Sequence, residues 1–267
     1  MPHRRARALL ALVLLTAVPL AACAPEERGL QGYVEGDYVT VAAPDAGWID
    51  TIDVERGAAV EPGTLLFTLD ATRETAARDA AKASAAQAAA RLALAETELM
   101  RQEKLAPTSA GSRQRLDQAR AERDSALAAR DLAAAQLAEA EWRLSQRRVA
   151  ARVGGFVDDV VREKGEYVPP GGAIVRLLPP GNVKLRFYAP ESALPAIKMG
   201  QTIGIACDGC VAGMTARVSF IASEAEFTPP VIYSVGQREK LMFLIEARPA
   251  DGAALRPGQP VDIALAP

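Results

Sequence analysis

The sequence predicts an α+β protein of several domains. A β-sandwich is split by an inserted antiparallel α-helical hairpin and is followed by a small β-barrel. Three observations predict this organisation: a segment recurs at a constant offset, an alanine-rich stretch separates its two copies, and short alternating strands follow the second copy. A chain of 267 residues is long enough to give each of these domains a core.

The composition excludes several classes of function. Lys and Arg total 31 and Asp and Glu total 33, a balance without the basic excess that a nucleic-acid partner requires. The single histidine, His3, excludes Ser-His-Asp catalysis and HExxH zinc chemistry in the rest of the chain. The chain has no Gly-Lys dipeptide and therefore no Walker A loop. We expect no enzymatic activity and no cofactor.

The first segment has the pattern of a secretion signal. Three arginines precede the apolar run 8–22, which is shorter than a membrane-spanning helix requires. Its end, Leu20-Ala-Ala-Cys23, resembles a bacterial lipobox, in which the cysteine is acylated after cleavage. We therefore expect residues 1–22 to be removed and Cys23 to carry a lipid anchor. An uncleaved anchor and an ordinary cleavage site remain the alternatives.

The repeat joins residues 43–69 to residues 151–177 at a constant offset of 108, with nine identical positions. Its glycines and Pro-Gly pairs are typical of turns between short strands. We expect the halves 43–70 and 151–178 to form one two-fold β-sandwich in which neither half buries its core alone. The matched apolar positions are Trp48/Phe156, Ile49/Val157, Val60/Val168 and Leu69/Leu177.

This repeat resembles the two halves of a biotinyl/lipoyl domain. In that family a lysine on the turn that joins the halves carries the cofactor. Here the first half ends Thr68-Leu-Asp-Ala71, so alanine stands at the position that the resemblance assigns to lysine. The resemblance therefore implies the lipoyl-like fold, while the missing lysine argues against a role as a biotin or lipoate carrier.

Residues 71–150 have the composition and spacing of two paired helices. Alanine is abundant, and the turn 106–111 carries Pro107 and Gly111. Apolar residues alternate by four and three on each side of this turn, as in a coiled-coil seam. A long helical bundle folded back on the body is the alternative. The predicted seam is Ala81, Ala85, Ala88, Leu92, Ala95 and Leu99 against Leu116, Ala119, Ala126, Ala133, Leu137, Ala140 and Leu144.

The hairpin tip carries the pattern Arg-x3-Leu-x6-Ser at Arg101, Leu105 and Ser112. With the split repeat, it resembles the periplasmic adaptors (membrane fusion proteins, HlyD-like) of tripartite efflux and secretion systems. The resemblance implies that these three residues dock a TolC-like outer-membrane channel. We expect Arg101 and Leu105 to share a helix face and Ser112 to cap the second helix. A simple cap and turn without a partner is the alternative.

The C-terminal third alternates with the period of β-strands and predicts a barrel over 179–267, preceded by a linker or strand at 23–42. The resemblance to adaptors implies that any membrane-proximal domain is reduced. The segment 226–233 resembles the subset of adaptors that partner ABC-type exporters, and a loop packed on its own barrel is the alternative. The contact residues that this resemblance implies are Phe227, Pro229, Pro230 and Tyr233.

Cys207 and Cys210 enclose Asp-Gly, a tight-turn dipeptide, after a strand-like segment. Two cysteines without histidine cannot complete a four-ligand zinc site. In an oxidising compartment a short structural disulfide is the favoured interpretation, with a redox role as the alternative.

The resemblance implies an assembly as well as a fold. We expect a lipid-anchored periplasmic protein, held at the inner membrane, that links an inner-membrane transporter to the outer-membrane channel. The resemblance favours an ABC exporter as the transporter and a hexamer as the oligomer. An acylated carrier domain and a structural envelope lipoprotein with a coiled coil are the competing hypotheses.

Overall fold

The computed structural model describes residues 29–105, 110–227 and 241–265. The chain forms two compact units, of which one is Tyr38–Pro180 and the other combines the segment before it with the segment after it. Among the described residues, no helix combines the length and the apolar character needed to cross a membrane.

The first unit contains the split sandwich, built from two four-stranded sheets. One sheet has the order β2-β9-β7-β4 and the other the order β6-β5-β3-β8. Each sheet therefore takes strands from both halves of the repeat, which confirms the lipoyl-like sandwich. The strands are β2 (Val39–Ala42), β3 (Gly47–Ile52), β4 (Ala59–Val60), β5 (Leu65–Leu69), β6 (Arg148–Ala150), β7 (Gly155–Val160), β8 (Tyr167–Val168) and β9 (Ala173–Leu178).

The hydrogen bonds between the halves repeat with the offset of the sequence. Ala43 N donates to Gly172 O at 2.9 Å, and Ala151 N, 108 positions later, donates to Thr64 O at 2.8 Å. Two further exchanged pairs follow the same rule. They are Gly63 N→Ala151 O with Gly171 N→Ala43 O, and Ile49 N→Glu166 O with Val157 N→Ala58 O. The sandwich is thus two-fold in its bonding as well as in its sequence.

The sandwich core is formed by side chains from both halves. Three of the four matched apolar pairs lie in this core, since each of their six residues is buried. The fourth pair, Trp48 and Phe156, points outward and is 56% and 55% exposed. The largest fully buried side chain of the sandwich is Phe67. Alternation along β3 and β7 explains the outward pair, because Ile49 and Val157 take the inward positions beside it.

Between the halves stands an antiparallel helical hairpin of α1 (Thr72–Leu105) and α2 (Ala110–Ser145). At 1.5 Å per residue, the 34 residues of α1 extend over about 50 Å. Every predicted seam position is buried or half-buried, and the most buried are Ala88, Leu92, Ala95, Ala119 and Ala133. Small alanines at these positions allow the two helices to pack closely, and the predicted hairpin is confirmed.

The second unit is a barrel closed by six strands in the order β10-β1-β15-β11-β12-β14, with β14 pairing back onto β10. A short β13 extends one side of β14. A 3₁₀ helix, Glu191–Ala196, follows β10. The strands are β1 (Leu30–Gly36), β10 (Val183–Pro190), β11 (Thr202–Ala206), β12 (Thr215–Ile221), β13 (Glu226–Phe227), β14 (Leu241–Pro249) and β15 (Pro260–Ala264).

Strand β1 is the element of the barrel that the pattern over 179–267 did not include. It lies between β10 and β15, and a Cβ at Gly32 would come within 2.6 Å of Arg186 O. The glycine is therefore needed for the close approach of β10. The described part of the C-terminal tail, β15, pairs with β1 and β11 inside the barrel rather than in a separate sheet.

The contrast between two phenylalanines tests the assignment of the core. We expect Phe67→Ala to lower the free energy of unfolding of the first unit by about 3–5 kcal/mol, because it removes a fully buried ring. Phe156→Ala removes an exposed ring and should change the unfolding free energy by about 0.5 kcal/mol or less. Urea titration followed by tryptophan fluorescence measures both, since Trp48 and Trp142 lie in this unit. Equal effects would contradict the assignment.

Candidate functional site

The tip of the hairpin brings two of the three predicted docking residues onto one exposed surface. Arg101 and Leu105 lie one turn apart at the end of α1, and the Leu105 side chain is 48% exposed. The Arg101 guanidinium pairs with the carboxylate of Glu98, which also accepts a hydrogen bond from Gln102 at 2.7 Å. The pair is exposed, so it is weak and can be exchanged for acceptors on a partner.

Ser112 is placed differently from the expectation. Helix α2 begins at Ala110, so Ser112 is the third residue of its first turn and not its N-cap. Helical geometry extends to Leu105 in the first helix and resumes at Ala110 in the second, so the turn is confined to residues 106–109, which lie outside the described residues. The capping prediction for Ser112 is therefore wrong, while its docking role stays a prediction.

The root of the hairpin is held by a nearly buried ion pair that the sequence analysis missed. Arg147 Nη2 lies 2.5 Å from Glu74 Oε1, and the two side chains are only 12% and 14% exposed. Arg147 Nη1 also donates to Ala46 O at 2.9 Å. The guanidinium of Arg147, two residues after the end of α2, therefore contacts the first turn of α1 and the residue that precedes β3.

The main chain and a glycine complete this root. Leu69 N donates to Arg147 O at 2.8 Å, which ties the last residue of β5 to the segment after α2. A Cβ at Gly47 would come within 2.9 Å of Arg147 Nη1, so a side chain there would displace the guanidinium. The sequence carried only one hint of this role, a cation near the C-terminal end of a helix. Nothing marked Glu74, which lies 73 residues away.

Asp70 begins the first helix beside this root. Its Oδ1 accepts hydrogen bonds from the Thr72 hydroxyl at 2.6 Å and from the Thr72 backbone N–H at 2.9 Å. These two bonds, with the nearby charge of Arg147, hold the pKa of the Asp70 carboxyl below its usual value. At the position where a carrier domain would present its lysine on a turn, this chain thus has Ala71, and the helix begins at the next residue, Thr72.

The remaining predicted residues lie in the barrel unit or outside the described residues. Cys207 and Cys210 form a disulfide with a Cα–Cα distance of 5.2 Å, and Gln259 Nε2 lies 3.2 Å from Cys207 Sγ. Phe227 ends β13, where its backbone pairs with Leu241. The residues outside the described ranges are Cys23, Pro229, Pro230 and Tyr233.

The outer face of the barrel carries a network of paired charges. Lys184 Nζ lies 2.9 Å from Glu246 Oε1 and within 4 Å of the carboxylates of Glu35 and Asp37. The hydrogen bond to Glu246 is the main cause that raises the pKa of Lys184, although burial opposes it.

Within the described ranges, no group of three or more His, Cys, Asp or Glu side chains could hold a metal ion.

Comparison with known proteins agrees with this geometry. Residues 69–147 match a family model described as the α-helical hairpin domain of RND membrane fusion proteins. A curated relative, described as a UPF0194 membrane protein in the asrC 5′ region of Acidithiobacillus ferridurans, is 29% identical over 126 residues. That alignment covers 46% of this chain and 37% of the relative, so the chain spans little more than a third of that protein's length.

Two solved structures share the fold. The membrane fusion protein Spr0693 from Streptococcus pneumoniae R6 is 22% identical with a TM-score of 0.64, and the match covers 88% of this chain and 99% of that one. MacA from Actinobacillus actinomycetemcomitans is 18% identical with a TM-score of 0.60, over 88% of this chain and 76% of that one. The chain therefore has the fold of a membrane fusion protein with an α-helical hairpin.

The buried pair at the root and the exposed pair at the tip make a matched test. We expect Glu74→Ala to lower the free energy of unfolding by about 3 kcal/mol, because it leaves the Arg147 guanidinium buried without its carboxylate. Glu98→Ala removes the exposed partner of Arg101 and should cost less than about 1 kcal/mol. Urea denaturation of both variants measures the difference, and similar losses would contradict the role of the root.

Proposed function

We propose that the protein is a non-enzymatic periplasmic adaptor of a tripartite efflux or secretion system. In this role it links an inner-membrane exporter to a TolC-like outer-membrane channel. The observation that carries the proposal is the helical hairpin inserted between two halves of a strand-exchanged sandwich. A hairpin about 50 Å long that is rooted at one end suits a spacer between two membrane complexes.

In this proposal the hairpin and the β-domains have different roles. The hairpin presents its tip residues Arg101 and Leu105 to the channel, where the leucine offers an apolar anchor and the guanidinium offers a fork of donors. The sandwich and the barrel contribute the surfaces that act at the exporter. The chain has no Walker A loop, and in this proposal the exporter supplies the energy.

The finer parts of the proposal rest on the sequence. An ABC-type exporter is favoured because the segment 226–233 resembles adaptors of that class, with Phe227, Pro229, Pro230 and Tyr233 as the contact residues. A hexamer is implied by the same resemblance, and a lipid on Cys23 would hold the protein at the inner membrane. Mixed exposed charges along the hairpin flanks suit contacts between neighbouring copies.

Two competing functions make different demands. A biotin or lipoate carrier needs a lysine at the turn between the halves, where this chain has Ala71. Mass spectrometry that found an attached cofactor would revive that hypothesis. A structural envelope lipoprotein needs no transport partner, and deletion of the gene would then leave the export of a broad panel of dyes unchanged.

The tip residue Leu105 gives the sharpest test of docking. We expect Leu105→Asp to abolish export without lowering the amount of protein, because a charge replaces the apolar anchor at a surface position. Leu94→Asp is the control, since Leu94 is also exposed on α1 but lies about three turns from the tip. Export assays with immunoblots compare them. Normal export by Leu105→Asp would reject docking at the tip.

The anchor has its own test. We expect Cys23→Ala to move the protein from the membrane fraction to the soluble periplasmic fraction, because the only acceptor for the lipid is lost. Fractionation and immunoblotting measure this, and the double variant Cys207→Ala with Cys210→Ala is the control, since it removes two cysteines and their disulfide but keeps Cys23. Retention of Cys23→Ala in membranes would favour an uncleaved N-terminal helix.

The class of the exporter can be tested separately. We expect vanadate, which inhibits ABC ATPases but leaves the proton gradient intact, to stop export that depends on this adaptor. A protonophore at a concentration that preserves cellular ATP should leave this export unchanged. The reverse pattern would assign the adaptor to a proton-driven exporter and reject the ABC partner.

A further inference from the structure

The sandwich has an open seam between two edge strands. Strand β2 ends one sheet and β6 ends the other, and both line a groove with a volume of about 480 Å³. The groove is lined by Val39–Ala42 from β2 and by Arg148–Val153 from β6 and the segment after it, together with Pro44 and Gln146. The groove therefore lies on the pseudo-two-fold axis, because β6 is the counterpart of β2 at the offset of 108.

The free edges present main-chain groups to this groove. Ala151 N donates to Thr64 O, so the main-chain groups of Ala151 face β5. The bulge between the two strands places its extra residue in β5, so the alternation along β6 is unbroken. Alternation along β6 then turns the N–H and C=O groups of Arg148 and Ala150 away from β5. An exposed row of such groups is a template for another strand.

The floor of the groove is apolar. Val39, Val41 and Val149 are only partly buried, although they pack against the sandwich core. Part of the apolar core surface is therefore exposed in the groove between the two sheets. Apolar side chains on one face of an added strand would cover this floor, as they do at other sheet edges that accept a strand.

The two edges of the groove, β2 and β6, differ in the charge of their side chains. Arg148 and Arg152 are exposed, and among the residues that the structure describes no carboxylate side chain lines the groove. At the corresponding positions the β2 side carries Thr40 and Pro44, and proline has no N–H to donate to an added strand. The β6 edge is thus the edge that combines free main-chain groups with positive charge.

We infer that the β6 edge is a docking site for an extended acidic segment of a partner protein, which pairs with β6 as an added strand. Its alternate apolar side chains contact the valine floor, and its carboxylates pair with Arg148 and Arg152. The occupant is assigned by charge complementarity, because Arg148 and Arg152 are the charged side chains among the described residues that line the groove. This site lies apart from the hairpin tip and goes beyond the proposed docking of the channel.

The test uses the purified chain without its leader and a seven-residue peptide in which Glu alternates with Val. Fluorescence polarisation should show saturable binding of this peptide. A peptide with Lys in place of Glu should bind at least about tenfold more weakly. Arg148→Glu and Arg152→Glu should each remove most of this preference, because one arginine and one glutamate then line the groove, and the double variant should reverse it. Arg56→Glu, in an exposed turn of the same unit, is the matched control and should bind like the parent protein.

Two further measurements separate strand addition from attraction between charges. A peptide with N-methyl groups on alternate amides should lose binding, because it cannot complete the ladder with β6. Amide exchange measured by NMR should slow at Arg148 and Ala150 on binding and stay unchanged at Val149, which already faces β5. These results together are the pattern expected of an added strand.

Several outcomes would overturn the inference. Equal binding of the Glu and Lys peptides, or binding that survives N-methylation, would reduce the groove to a nonspecific surface. An absence of binding would mean that the arginines protect the edge against pairing. Slow exchange at Arg148 and Ala150 without peptide would show a segment of this chain in the groove, and loss of that protection on dilution would show a second copy.

Discussion

The structure depends on the exchange of strands between the two halves of the repeat. Because each sheet takes strands from both halves, neither half can satisfy its main-chain hydrogen bonds or bury its valines and leucines alone. The exchange also brings the end of β5 next to the start of β6. Any insertion between these strands must therefore leave and return at adjacent points, and an antiparallel helical hairpin meets this condition.

A second constraint acts where the hairpin meets the sandwich. Most ion pairs along α1 and α2 are exposed and contribute little, whereas the Arg147–Glu74 pair is nearly buried and reaches the carbonyl of Ala46. The residue at the corresponding position of the first half is Val39, so this ion pair exists only on the side of the sandwich where the hairpin is attached. The hairpin is thereby fixed at its root while its flanks and tip stay available to partners.

The same symmetry explains where surfaces for partners arise. Sequence identity at the turns preserves the shared fold, while the positions that differ between the halves carry the features specific to one side. Arg148 and Arg152 occupy the positions that Thr40 and Pro44 hold in the first half, so the two edges differ in charge and in one main-chain donor. The proposed adaptor function uses the inserted hairpin, and the inferred strand-docking site uses the edge that the sandwich leaves open.

The sequence by itself determined the class of fold, because its signals are local or periodic. The constant offset predicted the sandwich, the four-three spacing predicted the seam from Ala81 to Leu144, and both are confirmed. Tertiary structure alone decided that β1 closes the barrel, that α2 begins before Ser112, and that Arg147 meets Glu74. These features join residues far apart in the chain or depend on where a helix ends, and neither leaves a periodic trace in the sequence.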